Sequence, residues 1–160
     1  MNDKNLFNEQ REQLMVHTTL ITKLVPRQST GNKFSMWEET VPPLAGPPPH
    51  SHKDEEVFYV LAGEFEFMLN DPANTVHATA GAVMHIPSYN LHTYRNIGKG
   101  AGKLITLATP GLLEDYFEAV GNKVRVVEDI PEMDIEPDYS KLDASKLISM
   151  AAQYSVNFQL

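Results

Sequence analysis

Two histidines one residue apart, His50 and His52, stand in the stretch GPPPHSHKDEEVF and are followed by the acids Asp54, Glu55 and Glu56. Imidazole nitrogen and carboxylate oxygen are the donors left to a divalent metal site when thiolates are absent, and the chain has no cysteine. Along an extended strand, residues two apart point to the same side at a separation of about 6.6–7 Å. The two imidazoles can therefore converge on one ion through bonds of about 2.0–2.1 Å. Glu56 lies too far along a straight strand, roughly 13 Å past His52, to share that ion. A tight turn at Lys53, Asp54 and Glu55 would bring it back at the start of a returning strand. Glu56, Phe58 and Val60 then share one face, while Glu55 and Val57 take the other. An H-x-H pair in a polar turn is equally compatible with a solvent-exposed loop, so this half of the pattern does not decide the matter alone.

The elements needed to hold these residues are legible as strands. The runs KFSMWEETV, EVFYVLA, EFEFML, TVHATA, AVMHI, LHTYRN and GKLITLAT are rich in β-branched and aromatic residues and end at Gly, Pro or Asn-Asp-Pro. Short strands at this spacing predict an antiparallel barrel or sandwich. Prolines 47–49 favour an extended backbone of low entropy ahead of the histidine pair. Asn70-Asp71-Pro72 reads as a turn. After the last strand, PGLLEDYFEAVG carries Leu112, Leu113, Tyr116, Phe117 and Val120 at helical spacing, with Gly121 as a stop. A second helix is expected from about Leu142 to Tyr154, with an acidic, proline-punctuated connector between the two. Residues 1–30 are expected as an arm or strand, 31–110 as the barrel and 111–160 as a helical extension.

The 160 residues fit one domain with one substantial core. A net charge of −8 without a basic patch argues against a nucleic-acid partner. No apolar run approaches the roughly 20 residues of a membrane span. The polar start, MNDKNLFNEQREQL, lacks the apolar centre of a secretory signal, so a cytoplasmic location is expected.

The second half of the barrel contains GAVMHIPSYNLHTYRN. With it, the chain resembles the cupin superfamily, whose two motifs are HxH(X)3–4E(X)6G and G(X)5PxG(X)2H(X)3N. The first is matched by His50, His52, Glu56 and Gly63, and the second by Gly81, Pro87, His92 and Asn96, with 17 residues between Gly63 and Gly81. Two positions depart from the pattern: Leu44 stands where the first motif opens with glycine, and Tyr89 replaces the turn glycine of the second. The resemblance implies an all-β double-stranded β-helix, or jelly-roll barrel, with C-terminal helices. It also implies His50, His52, Glu56 and His92 as ligands of one divalent ion (Fe, Mn, Ni, Co, Cu or Zn). Such a site would keep positions open for water, oxygen or substrate and would favour an anionic oxygen.

The stretch from GPPPHSH into EVFYVLAGE is similar to the quercetin 2,3-dioxygenase-like branch of that superfamily. Members of that branch open a flavonol ring with O2 at a metal, and the glutamate is proposed to take the substrate proton. The function this implies is a metal-dependent dioxygenase on a small aromatic or enolisable substrate, with Glu56 as ligand or general base. Two alternatives are a non-redox isomerase or lyase and a small-molecule-binding cupin without turnover. A homodimer is expected, because such barrels commonly pair. Phe58, Val60, Tyr94 and Tyr89 are candidate pocket residues, and Tyr94 reads equally as barrel core. Phe34, Met36 and Met84 are further candidates for an apolar lining. The Phe65, Phe67 and Leu69 stripe fits barrel packing or a dimer face. His85 is open to a supporting role, whereas His17 and His77 carry no spacing signal and read as surface residues.

Overall fold

A computed structural model describes residues 11–159. In chain order the first strands are β1 (Gln13–Val16), β2 (Thr19–Val25), β3 (Ser35–Val41), β4 (His50–Ser51) and β5 (Glu55–Ala62). They are followed by β6 (Glu64–Leu69), β7 (Asp71–Thr79), β8 (Val83–Ile86), β9 (His92–Asn96) and β10 (Gly102–Thr109). Helix α1 (Leu113–Val120), β11 (Asn122–Lys123), helix α2 (Ser145–Ala151) and β12 (Asn157–Phe158) complete the chain. One antiparallel sheet has the order β11-β1-β2-β3-β10-β5-β8 and the other β12-β4-β9-β6-β7. This is an all-β jelly-roll barrel with C-terminal helices.

Alternation along each strand decides what faces inward. On β5, Glu56, Phe58 and Val60 are buried, while Glu55, Val57, Tyr59 and Leu61 are exposed. Phe65 and Phe67 of β6 join Phe58, Val60, Tyr94 and Leu104 in the barrel core, so their stripe is barrel packing. A second cluster forms where Leu14, Ile21 and Trp37 meet Leu113, Tyr116 and Val120 of α1 and Val156 near the C terminus. Trp37 packs edge-on against Phe117 with ring centroids 5.2 Å apart.

The structure departs from the sequence expectations in three places. β7 starts at Asp71 and includes Pro72, read above as turn. It pairs only with β6, and an edge strand tolerates a residue without an N–H. The expected tight turn at Lys53–Glu55 is instead a crossover: β4 belongs to one sheet and β5 to the other, so Glu56 faces the histidines across the barrel. The second helix begins at Ser145, where the Asp143 carboxylate accepts the Ser145 N–H at 2.8 Å, and it ends in a single 3-10 turn at Ala152–Tyr154. Residues 13–25 form the β1–β2 hairpin, and the first ten residues of the expected arm lie outside the described residues.

Candidate metal centre and substrate cavity

His50 and His92 sit directly opposite one another in the β4–β9 pair, and His52 closes the group from the chain leaving β4. The ligand nitrogens of the three histidines lie within 4.8 Å of one another. Glu56 enters from the facing sheet, with Oε2 3.0 Å from His52 Nε2 and 3.1 Å from His92 Nε2. Nδ1–H of His50 donates to the Pro48 carbonyl and Nδ1–H of His92 to the Asn90 carbonyl, each at 2.9 Å. Both rings thereby present Nε2 inward, the arrangement in which a fixed outer hydrogen bond sets tautomer and aim.

The proline run makes this geometry reproducible. Its three carbonyls are all engaged: Pro47 accepts from Thr93 Oγ1 at 2.6 Å, Pro48 from His50, and Pro49 from the Gln159 N–H at 2.8 Å. Ahead of it, the Ala45 carbonyl accepts the Asn96 N–H at 2.9 Å. Gly46 lies so close to β9 that a Cβ would stand 1.9 Å from the Tyr94 carbonyl oxygen. Asn96 is fully buried; its amide donates to Val41 and Gly100 carbonyls at 2.8 and 2.9 Å and accepts the Gly98 N–H at 2.8 Å, which clamps the turn after β9. Asp54, also buried, accepts the Leu113 N–H at 2.9 Å and ties the crossover to the start of α1. Leu44 and Tyr89, the two departures from the glycine pattern, both take left-handed backbone angles, φ 59° and 63°.

The donors fit a divalent ion. Two atoms bound at about 2.1 Å to one ion lie roughly 3.0 Å apart at right angles and about 4.2 Å apart in opposition. The Glu56 contacts already match the smaller value, and histidine nitrogens within 4.8 Å of one another exceed the larger by at most about 0.6 Å. At 3.1 Å from Glu56 Oε2, the His92 Nε2 stands where a shared proton or a metal ion would bridge the two. Burial pushes the Glu56 carboxyl up, but hydrogen bonds and charge from His52 and His92 pull it down to about 2. Burial, reinforced by His92 and His52, lowers His50 to about 3 and keeps it neutral. Burial opposes protonation of His52 as well, yet Glu56 raises it. Nδ1 of His52 is buried without a hydrogen-bond partner. Three imidazoles and a carboxylate are nitrogen and oxygen donors of the kind that hold first-row divalent metals.

Beside His50 and Glu56 opens a cavity of about 90 Å³. Phe58, Tyr94, Ile21 and Glu39 line its barrel side, and Leu147, Val156 and Phe158 close it from the C-terminal segment. Phe158 pairs with His50 in the β12–β4 ladder, with ring centroids 5.8 Å apart. Among the residues named from sequence, His50, Glu56, Phe58 and Tyr94 line the cavity. Val60 is buried in the barrel core away from it, and Tyr89 is exposed and outside it. Phe34, Met36 and Met84 are half-buried and do not line it. His85 pairs with Glu55 and His77 with Glu64 on the surface. Among the lining residues that the sequence reading missed are His17, in the β1–β2 turn and read as a surface residue, and Glu39. A signal for Glu39 was present, since it stands two residues from Trp37 and so shares its inward face.

Residues 37–108 match the family model described as Cupin domain. Several solved structures share the fold. A predicted oxalate decarboxylase from Thermotoga maritima is 21% identical, with 63% of this chain and 93% of that one covered and a TM-score of 0.57. The polyketide cyclase RemF from Streptomyces resistomycificus is 23% identical, with 69% and 80% covered and a TM-score of 0.58. An RmlC-like cupin from Shewanella frigidimarina is 21% identical, with 66% and 88% covered and a TM-score of 0.56. Among curated proteins no sequence matches. The barrel of this chain thus has the cupin fold, and residues 37–108 within it match the Cupin domain model. Its neighbours carry different activities, so the site must argue its own chemistry. Among the described residues no helix is long and apolar enough to cross a membrane.

Proposed function

We propose that this protein is a metal-dependent dioxygenase acting on a small aromatic or enolisable substrate. The observation that carries this reading is the Glu56 carboxylate, buried between His52 and His92 and facing a largely apolar cavity. His50, His52, His92 and Glu56 would hold one divalent ion. When bound, such an ion acidifies a coordinated substrate hydroxyl and gives substrate and O2 a path for electrons. Glu56, kept ionised by its histidine neighbours, accepts the hydroxyl proton and returns it to the product. Phe58, Ile21 and Phe158 exclude water while a substrate carbon–carbon bond breaks and both atoms of O2 enter the product. The few polar groups along this wall suit an aromatic or enol better than a sugar, which would need many hydrogen-bond partners.

Oxygen uptake by metal-loaded protein tests the reading, with flavonols, single-ring phenols and cyclic enols as substrates. One O2 consumed per substrate, falling by about 10²–10⁴-fold in Glu56→Gln, is expected for a general base. Turnover indifferent to oxygen would move the site to the isomerase or lyase class.

The protein would act as a homodimer. Val57, Tyr59, Leu61 and Val83 are 37–60% exposed on neighbouring strands β5 and β8 and form one outward apolar face. A second copy of the same face is its natural cover.

A further inference from the structure

A buried carboxylate that the metal centre does not use stands on the cavity wall. Glu39, on β3, is 4% exposed and lines the same cavity as Glu56 and His50. Its Oε1 accepts from Trp37 Nε1–H at 2.9 Å and from Thr106 Oγ1–H at 2.7 Å, and its Oε2 accepts from the Tyr94 hydroxyl. The indole can only donate, and the two hydroxyls each have a proton to give. A carboxylate offers about four acceptor positions, so these three donors leave one open. Burial still pushes the Glu39 carboxyl above its ordinary range despite them, and the negative charge of Glu56 adds to that.

We propose that Glu39 selects the substrate, accepting a hydrogen bond from a second hydroxyl on a single-ring substrate whose first oxygen is bound at the histidine cluster. This rests on the reading of the cavity as the substrate site and narrows it. A fourth donor, supplied by the ligand, offsets part of the cost of burying the carboxylate. A hydrogen bond to a charged group is stronger than one between neutral partners. The same charge repels a second anionic group, which disfavours dicarboxylates. Size points the same way. The cavity of about 90 Å³ is far below the roughly 300–1,000 Å³ of pockets for drug-sized ligands, and a cavity of about 150 Å³ takes one benzene ring. The space is smaller even than that, so one small ring or hydroxy-enol already needs its walls to give, and a three-ring flavonol exceeds it far more.

The test uses protein reconstituted with Zn²⁺, an ion without redox chemistry, whose zinc content is measured first. Phenol, resorcinol, hydroquinone and oxalate are titrated by calorimetry and by the emission of Trp37, the single tryptophan and a direct partner of Glu39. At least one diol is expected to bind tenfold or more tightly than phenol and to change Trp37 emission more. In Glu39→Gln, whose amide turns a donor toward Tyr94 or the cavity, that advantage should fall to within about twofold while oxalate binding strengthens. The phenol–diol comparison in wild-type protein stands even if the variant folds poorly, which its thermal melt will show. Equal binding of phenol and both diols, tighter binding of oxalate than of either diol, or no binding of any probe to zinc-loaded protein would overturn the proposal. A diol preference in protein that takes up no zinc would uphold Glu39's role and contradict the metal centre instead.

Discussion

Backbone carbonyls fix Nδ1 of His50 and of His92, so each ring has one nitrogen left to aim inward, and that of His92 meets Glu56. The cluster of three histidines and Glu56 was readable because one strand period sets His50 and His52 on the same side and the motif spacing adds Glu56 and His92. Glu39 was hidden in WEET, where two adjacent acids look like a solvated edge. Only the Trp37 side of the alternation marks one of them as interior. The substitutions at Leu44 and Tyr89 were visible as departures, but their backbone angles were not. Left-handed geometry costs a non-glycine residue about 1–2 kcal/mol, and a β-branched residue bears it worst. Tyr89 is 61% exposed, so its ring contributes little packing. Tyr89→Gly should therefore keep the melting temperature within a few degrees of wild type, and Tyr89→Val should melt clearly lower. Equal loss in both would show that the ring, rather than the backbone, matters there.

The segment from Leu44 to Ser51 acts as one element although only its last two residues count as strand. It runs along β9, and every proline carbonyl in it is used. Gly46→Ala would place a methyl group 1.9 Å from the Tyr94 carbonyl oxygen, and backbone cannot yield as a side chain can. Overpacking of this kind costs about 1–3 kcal/mol or more, which at this chain length lowers the melting temperature by about 2–4 °C per kcal/mol. Metal affinity should weaken in parallel, because His50 hangs from the same segment. An unchanged melt would refute the close approach. Here the sequence was a partial guide. Periodicity located β5, β6, β9 and β10 almost to the residue, but it could not say that β4 and β5 lie in different sheets. It could not foresee β12 either, since a two-residue strand exists only through its pairing with β4.

At the scale of the molecule, residues far apart in sequence meet around one space: Glu39, His50 and Glu56 line it, and Leu147, Val156 and Phe158 border it from the C-terminal segment. The exposed face of β5 and β8 is the outward counterpart of the same alternation that aims Glu56 and Phe58 inward. Flanking polar groups there are paired, Glu55 with His85 at 2.6 Å and Glu38 with Lys103 at 2.5 Å, which leaves the face between them apolar. Light scattering should give twice the chain mass for wild type and a single chain mass for Tyr59→Arg, with cavity and metal content intact. A monomeric wild type would remove the dimer.

The proposed chemistry depends most on one ion held by His50, His52, His92 and Glu56. Elemental analysis of protein purified without added metal, comparing wild type with His92→Ala, tests this directly. Close to one equivalent of a first-row transition metal per chain in wild type, with most of it lost in the variant, is the predicted result. Absence of metal from both proteins even after reconstitution, or equal metal in both, would contradict it.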